Sequence, residues 1–526
     1  MSGDTNSDDL TDAERAVLER GREWVRDHQD ELELLLADLV SRPSVTGSEG
    51  SADDPSTTVG HLHAFLANRV DRADLATQRV GDAQADSDND GGTGSDADTD
   101  TDPRDNCYAV LDGASDELLV CTSHTDTVPP GNSVDWPGDD PFELATGTVR
   151  RTEPETLELR VDGRTETRSI RERYDRIWRR REGDEREVLV GRGAYDNKAS
   201  IVCLVGALLA LEAALADEAV DLGGTLVHGH LIGEEVAQEG AKAMVGSHGY
   251  PDWLGERFGN RLEGDDPSGS LVVLDGSYGF VPAIGHRGLA WVTLRAEGES
   301  THASTPHLGR NAVLGTAEAL SGVRSDTFRD ALVEPFQADE LLGEFTVAAG
   351  TTIAGGDVRG VTDGDVDRGG INSVPDWCET TFDVRFPRWE RFPDGLEDVR
   401  EHFEATIESQ AAERAPDLSF EATVDPAEFF PPVAIAESPE AAPEHPLVAT
   451  AIDSTRGTFG YDPGTTVAPG VTDAATLYHG TRLPTLVEYG PAGAWSHEPL
   501  EFVEREQVTG GAEAMLEFAI RQLGVV

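Results

Sequence analysis

Five short stretches of the chain carry side chains able to hold a metal ion or move a proton, and each follows an apolar run. They are His124 and Asp126 in "LLVCTSHTDTVPP", Asp196 in "GRGAYDNKAS", the adjacent Glu234 and Glu235 in "LIGEEVAQEG", Asp275 in "LVVLDGS" and His497 in "GPAGAWSHEPLE". In an extended chain, residues two apart point to the same face, so the Asp126 carboxylate can lie beside the His124 ring. Metal-binding histidines are usually oriented this way, with one ring N–H on a carboxylate and the other nitrogen towards the ion. Each stretch also has a plainer reading. H-x-D can be a polar strand end, Asp196 an N-cap before a helix, the paired glutamates solvated loop acids, and Asp275 and His497 structural. What sets them apart is their shared place: open α/β sheets bind ligands where the strands run out.

The elements that must position these residues can be read from periodicity. Residues 10–40 and a stretch near 58–70 carry apolar positions at helical spacing, and Pro43 ends the first. Strand-like runs ("CYAVL", "ELLVCTS", "GTLVHGHLI", "SLVVLD") then alternate with helical ones ("DNKASIVCLVGALLALEAALADEA", "AQEGAKAMVGSHG"), which predicts an α/β layer with a largely parallel sheet. From about 285 to 430 the style changes to long alternating strands around two helices, near 309–322 and 396–412. The order β-α-β-β-α-β is that of a ferredoxin-like α+β unit. The α/β style returns from about 431 and ends in a helix near 501–523. This predicts a discontinuous domain over 1–284 and 431–526 with a second domain, 285–430, inserted in it. Residues 83–105 are almost purely Asp, Gly, Ser and Thr, a composition that predicts a disordered acidic loop.

Composition restricts the partners. Acidic residues outnumber basic ones 100 to 42, the formal charge is -58, and Lys198 and Lys242 are the only lysines. Such a surface excludes nucleic acid and anionic membranes as partners and calls for concentrated salt to screen its self-repulsion. The four cysteines, Cys107, Cys121, Cys203 and Cys378, lack CxxC spacing and read as buried thiols. The start, "MSGDTNSDDL", has no basic or apolar leader pattern, and the run 199–211 is too short to span a bilayer. A cytoplasmic protein of a salt-rich cell is expected.

The order of the five motifs resembles that of the co-catalytic zinc amidohydrolases and exopeptidases of the acetylornithine deacetylase, succinyl-diaminopimelate desuccinylase, aminoacylase and carboxypeptidase G type. The resemblance runs from about residue 30 to the C-terminus. It implies that His124 and Asp275 hold one divalent ion, that Glu235 and His497 hold another, and that Asp196 bridges both. A donor set of imidazole and carboxylate without thiolate suits zinc, with cobalt or manganese as substitutes. It further implies that Glu234 is the general base acting on a water shared by the ions, and that Asp126 orients His124. In the inserted domain, a lid and dimerisation domain by resemblance, "ESTHASTPHLGRNAV" implies that His302 stabilises the developing oxyanion, often in the partner subunit's site. "INSVP" and "DVRFP" make Asn372 and Arg385 candidate substrate contacts, against the plainer readings of a turn residue and a surface ion pair.

Three departures stand out. Ala475 in "TDAAT" occupies a place where several relatives have arginine, Ala199 one where relatives often have glycine, and an insertion over about 143–187 contains the basic stretch "RERYDRIWRRRE". That stretch is expected to form a salt-bridged hairpin or helix against acidic surface. The expected function is metal-dependent cleavage of an amide bond in a small N-acyl amino acid or short peptide, by a deacylase or by a dipeptidase or carboxypeptidase of the same family. The alternative from another class is a non-catalytic metal-binding paralogue, which would lack Glu234 or a ligand.

Overall fold

β-branched and leucine-rich runs build the sheet that carries the candidate residues. A computed structural model describes residues 10–81, 103–181, 183–262, 267–323, 325–336, 338–355, 359–362, 365–367, 372–389, 392 and 395–526. Strands β1 (Asp74–Val80), β2 (Arg104–Leu111) and β3 (Leu118–His124) are followed by β4 (Ala145–Glu153), β5 (Thr156–Val161), β6 (Arg164–Ser169), β7 (Glu185–Val190), β8 (Thr225–Leu231) and β9 (Ser270–Val273). The first six-stranded sheet has the order β1-β2-β8-β3-β9 and then a short strand, Thr485–Leu486. Its last four strands are mutually parallel, whereas β1 and β2 are antiparallel to their neighbours. The sheet is therefore mixed. Every residue of β3 and β8 is buried, as expected of strands covered on both faces.

Helices α1 (Asp12–Asp27) and α2 (Gln29–Val40) divide at His28, where the single periodic run 10–40 predicted no break; α3 is Thr58–Ala67. After α4 (Glu172–Trp178) comes α5 (Ala199–Glu218), which continues past the apolar run 199–211. The helical stretch Ala194–Glu218 is long and apolar enough to cross a membrane, but it is 89% buried inside the fold, as a core helix is. The acidic segment predicted at 83–105 lies mostly outside the described residues. Its end does not belong to it: Arg104 and Asp105 open β2, Arg104 pairing with Glu239 at 2.8 Å and Asp105 with Arg79 at 2.5 Å.

The insertion near 143–187 contains β4, β5, β6 and α4. Its strands join β7, Phe502–Glu504 and Gly493–Ala494 in a second, antiparallel six-stranded sheet. The last helix accordingly begins at Arg505 rather than 501, because Phe502–Glu504 is a strand of this sheet.

The chain divides into two compact units: Met1–Gly285 with Ala434–Ala468 and Thr472–Val526, and His286–Val433 with Pro469–Val471. In the second unit the strands Thr346–Gly355, Trp377–Phe386, Gly288–Glu297 and Ser419–Phe430 form an antiparallel sheet in that spatial order. The helices are Ala312–Gly322, Leu396–Arg414 and an unanticipated third, Asp326–Val333. Strand Trp377–Phe386 alternates strictly, burying Cys378, Thr380, Phe382, Val384 and Phe386. Phe403 of the long helix packs edge-on against Phe386 at 5.5 Å between ring centroids.

Candidate metal centre

Parallel pairing brings three of the five motifs to the carboxyl end of the first sheet, and the second, antiparallel sheet supplies Asp196 and His497. β3 lies between β8 and β9, with His124 in register with Leu231 and Thr122 with Val273. All three chains therefore leave the sheet on the same side, within a few residues of one another. Beyond β8, Gly233 turns at φ 67, a left-handed conformation that suits glycine, and delivers Glu234 and Glu235. Gly193 at φ 78 does the same before Asp196; a Cβ there would meet Thr127 Cγ2 at 2.6 Å.

The candidate ligands converge on Asp196. Its Oδ1 is 3.1 Å from His124 Nε2 and its Oδ2 is 3.3 Å from His497 Nε2. Asp275 Oδ2 lies 3.9 Å from His124 Nε2, and Glu235 Oε2 lies 3.0 Å from His497 Nε2. One carboxylate thus stands between two histidine and carboxylate pairs. Ligand atoms of His124, Asp196 and Glu235 all fall within 4.8 Å of one another. His124, Glu235 and Asp196 are 2%, 5% and 14% exposed at their side chains, while His497 is 56% exposed and forms the open side of the cluster.

Asp126 does not continue the strand beside His124, because β3 ends at His124 itself. The closest contact of His124 Nδ1 is the Asp126 backbone carbonyl at 3.1 Å, with the carboxylate Oδ1 at 3.4 Å. Both are acceptors, so Nδ1 carries a hydrogen and Nε2 is the nitrogen turned towards the carboxylates. The Asp126 carboxylate has a further task. Oδ1 accepts from Glu234 N at 3.1 Å, and Oδ2 accepts from Glu235 N at 3.2 Å and Thr46 Oγ1 at 2.8 Å.

Other supports were not singled out from sequence. Glu501 accepts from the backbone of Tyr195 and Asp196, both at 2.9 Å, and pairs with Arg192. It belongs to the quoted "HEPLE", so the signal was present but only His497 was taken from it. Asn197 donates to Leu274 O at 2.7 Å, tying the Asp196 turn to the end of β9. The N-cap of α5 is Lys198, so Asp196 does not serve as the helix cap. Glu49 accepts from Gly233 N at 3.1 Å. Buried Asp473 has an Oδ1 with no hydrogen-bond partner, and its neighbour Ala475 is fully buried.

The arrangement concentrates negative charge in a dry space. Burial, with Asp196 nearby, pushes the Glu235 carboxyl up to about 7 and the Asp275 carboxyl up to about 6. Burial and the charges of Asp473 and Glu235 hold Glu234 well above its ordinary value. Asp473 is pushed up to about 8, first by burial. Asp196 goes the other way: the two imidazoles beside it, His124 and His497, outweigh burial and lower it. The carboxylates Asp196 and Glu235 raise His497 to about 10. Such a cluster calls for positive charge from elsewhere. Two further observations fit a bound cation: His124 Nε2 and Glu235 Oε1 are buried without a hydrogen-bond partner. The donors are nitrogen and oxygen, the set that zinc, cobalt and manganese accept.

In the second unit, His302 and Asn372 come together. His302 Nδ1 accepts from Ser304 N at 3.1 Å, and Asn372 Nδ2 lies 2.9 Å from His302 Nε2. Arg385 grips both oxygens of Asp383, at 2.7 and 2.9 Å, as in the ion-pair reading.

A cluster of this kind, set partly at the carboxyl ends of parallel strands and built from two histidines around a shared carboxylate, defines a metal-centre class. The particular family follows from comparison. Residues 174–521 match the model of peptidase family M20/M25/M40, more than half of the chain, and the chain belongs to that family. Succinyl-diaminopimelate desuccinylase of Methylorubrum extorquens is 27% identical over 351 residues, covering 66% of this chain and 66% of that protein's own length. Among solved structures, the dipeptidase Dug1p of Saccharomyces cerevisiae superposes with a TM-score of 0.61 at 12% identity, over 96% of this chain and 98% of its own. The Bacillus subtilis YXEP protein, a dinuclear metal-binding peptidase, does so with a TM-score of 0.52 at 13% identity, over 95% and 100%. At these identities the two structures speak for the fold alone.

Proposed function

We propose that this protein is a hydrolase of amide bonds in small N-acyl amino acids or short peptides, dependent on two divalent ions and most readily on zinc. The observation that carries the reading is the Asp196 carboxylate, one oxygen beside His124 and the other beside His497. In this assignment His124 and Asp275 hold one ion, His497 and Glu235 the other, and Asp196 both. When bound, such a pair supplies a Lewis acid for the scissile carbonyl and lowers the pKa of water. Glu234 takes the proton of the attacking water and later delivers it to the leaving nitrogen, so amide and water become carboxylic acid and amine. Its backbone N–H is fixed on Asp126, which also holds the Nδ1 proton of His124.

In the inserted unit, His302 is assigned to oxyanion stabilisation, and Asn372 and Arg385 to substrate contact. The inserted unit itself is assigned the role of lid and homodimer surface. The acid excess supports a working environment of molar salt in the cytoplasm. The test is a screen of the zinc-loaded protein in molar salt against acetyl- and succinyl-amino acids and dipeptides. Chelator-sensitive cleavage of at least one class is expected; cleavage of none, with two ions bound, contradicts the reading and favours a non-catalytic paralogue.

A further inference from the structure

The inserted helix α4 and its flanks carry guanidinium groups that have no ion-pair partner among the described residues. The chain has 100 acidic and 42 basic residues, so carboxylates are plentiful partners for arginine. Others of the same stretch are paired: Arg179 with Asp175, and Arg181 with Glu504 and Glu506. Arg171, Arg173, Arg176 and Arg180 differ. None lies within ion-pair distance of a carboxylate among the described residues. Arg171 donates to the Tyr278 hydroxyl at 3.1 Å, and Arg180 donates to the carbonyl of Asp462 at 3.0 Å and to that of Pro463. Arg173 Nη1 is buried and has no hydrogen-bond partner. A charge held like this is costly unless an anion meets it.

The surroundings suit a small anion. Arg173, Arg176, Arg180, Tyr278, Thr465 and Thr466 line a cavity of about 20 Å³, room for the end group of a molecule rather than the whole. Tyr174 and Trp178 are buried, and Tyr174 lies 6.0 Å from Tyr278, so the helix is anchored to the segment that follows Asp275. Glu488, which is 7% exposed, feels the charges of Arg171 and Arg173 as well as that of Asp275. The ring of Tyr195 fills the space over Gly276. Tyr278 and Glu488 thus link the arginines to the segment around Asp275.

We propose that Arg173, with Arg171, Arg176 and Arg180 around it, is an anion-binding subsite that takes a free carboxylate of the substrate. The assignment of that carboxylate to a substrate rests on the function proposed above; the subsite itself does not. A charge-assisted hydrogen bond from a half-buried guanidinium confines the effect to substrates that carry the anion.

The experiment compares wild type, Arg173→Gln and Arg176→Gln, the last at an exposed position where folding is unaffected. The zinc-loaded proteins are assayed on the best-cleaved acyl-amino acid and on its carboxamide analogue, and are titrated with succinate and with chloride at fixed ionic strength. Expected is a loss of about tenfold or more in kcat/KM on the carboxylate substrate for Arg173→Gln, a smaller loss for Arg176→Gln, and no change on the carboxamide. Succinate should bind wild type and fail to bind Arg173→Gln. Equal losses on both substrates, or none in either variant, overturn the subsite. Displacement of succinate by equimolar chloride overturns the substrate assignment in favour of an inorganic anion. If wild type cleaves nothing yet binds succinate through Arg173, the subsite stands and the proposed reaction falls.

Discussion

Asp126 shows how one residue can fix several others. Its carboxylate accepts the backbone N–H groups of Glu234 and Glu235 together with the Thr46 hydroxyl. Asp126→Asn replaces one accepting oxygen by a donor and leaves a buried N–H unmet. We expect a loss of about 1–3 kcal/mol in unfolding free energy together with weaker zinc binding, read by denaturant titration and by competition with a chelating dye. The two glutamates that it holds should separate cleanly. Glu234→Gln should keep its metals and lose about 10²–10⁴-fold in turnover, as removal of a general base does. Glu235→Gln should weaken one metal site instead, because its Oε2 is the atom beside His497. Metal content measured alongside turnover decides this; loss of a metal from Glu234→Gln would contradict the division of roles. The motif residues were legible in the sequence because each follows an apolar run. Glu49 and Asp473 were not, since what they meet is backbone or space supplied by segments remote in sequence, which no local pattern records.

At the scale of elements, the parallel run β8-β3-β9 explains why residues 124, 234, 235 and 275 meet at all. The alternation of strands and helices made that layer legible, but the antiparallel β1 and β2 and the whole second sheet were not, because antiparallel pairing depends on partners that periodicity does not name. That second sheet supports the loop bearing His497, in which Trp495, His497 and Leu500 take positive φ values of 64°, 65° and 66°. Arg168 of β6 donates to Pro499 O at 3.0 Å, contacts Glu498 at 3.3 Å and lies over the Trp495 ring at 4.9 Å. Arg168→Ala should therefore lower zinc affinity at the His497 side by about 10–100-fold, the usual scale for residues that support a ligand, while the other site is unchanged. β8 also carries a pH dependence. Burial lowers both His228 and His230 to about 3, so they stay neutral in the fold while the unfolded chain takes up protons below about 6.5. Their stabilisation is complete above pH 6.5 and is lost as pH falls from there towards 3. Each contributes a slope of about 1.4 kcal/mol per pH unit within that window. His228→Leu should flatten the fall in unfolding free energy between pH 6 and 5 by that amount.

The whole molecule carries a formal charge of -58, and its self-repulsion opposes the folded state wherever it is unscreened. Melting temperature should rise between about 0.1 and 3 M KCl, where the Debye length falls from about 10 Å to below 3 Å. A flat response would remove the case for a salt-rich working environment. Charge was fully legible in composition; how it is distributed was not, because the arginines of the insertion divide into paired and unpaired sets only once the chain is folded. The account as a whole depends on two ions sharing Asp196. The most direct measurement is the metal content of the zinc-loaded protein after removal of loosely held ions, taken for wild type and for Asp196→Asn, with hydrolysis followed before and after chelator. The account predicts two ions per chain in wild type, impaired binding at both positions in Asp196→Asn, and activity that disappears with chelator and returns with zinc. A single ion in wild type, or hydrolysis that persists in chelator, would contradict it.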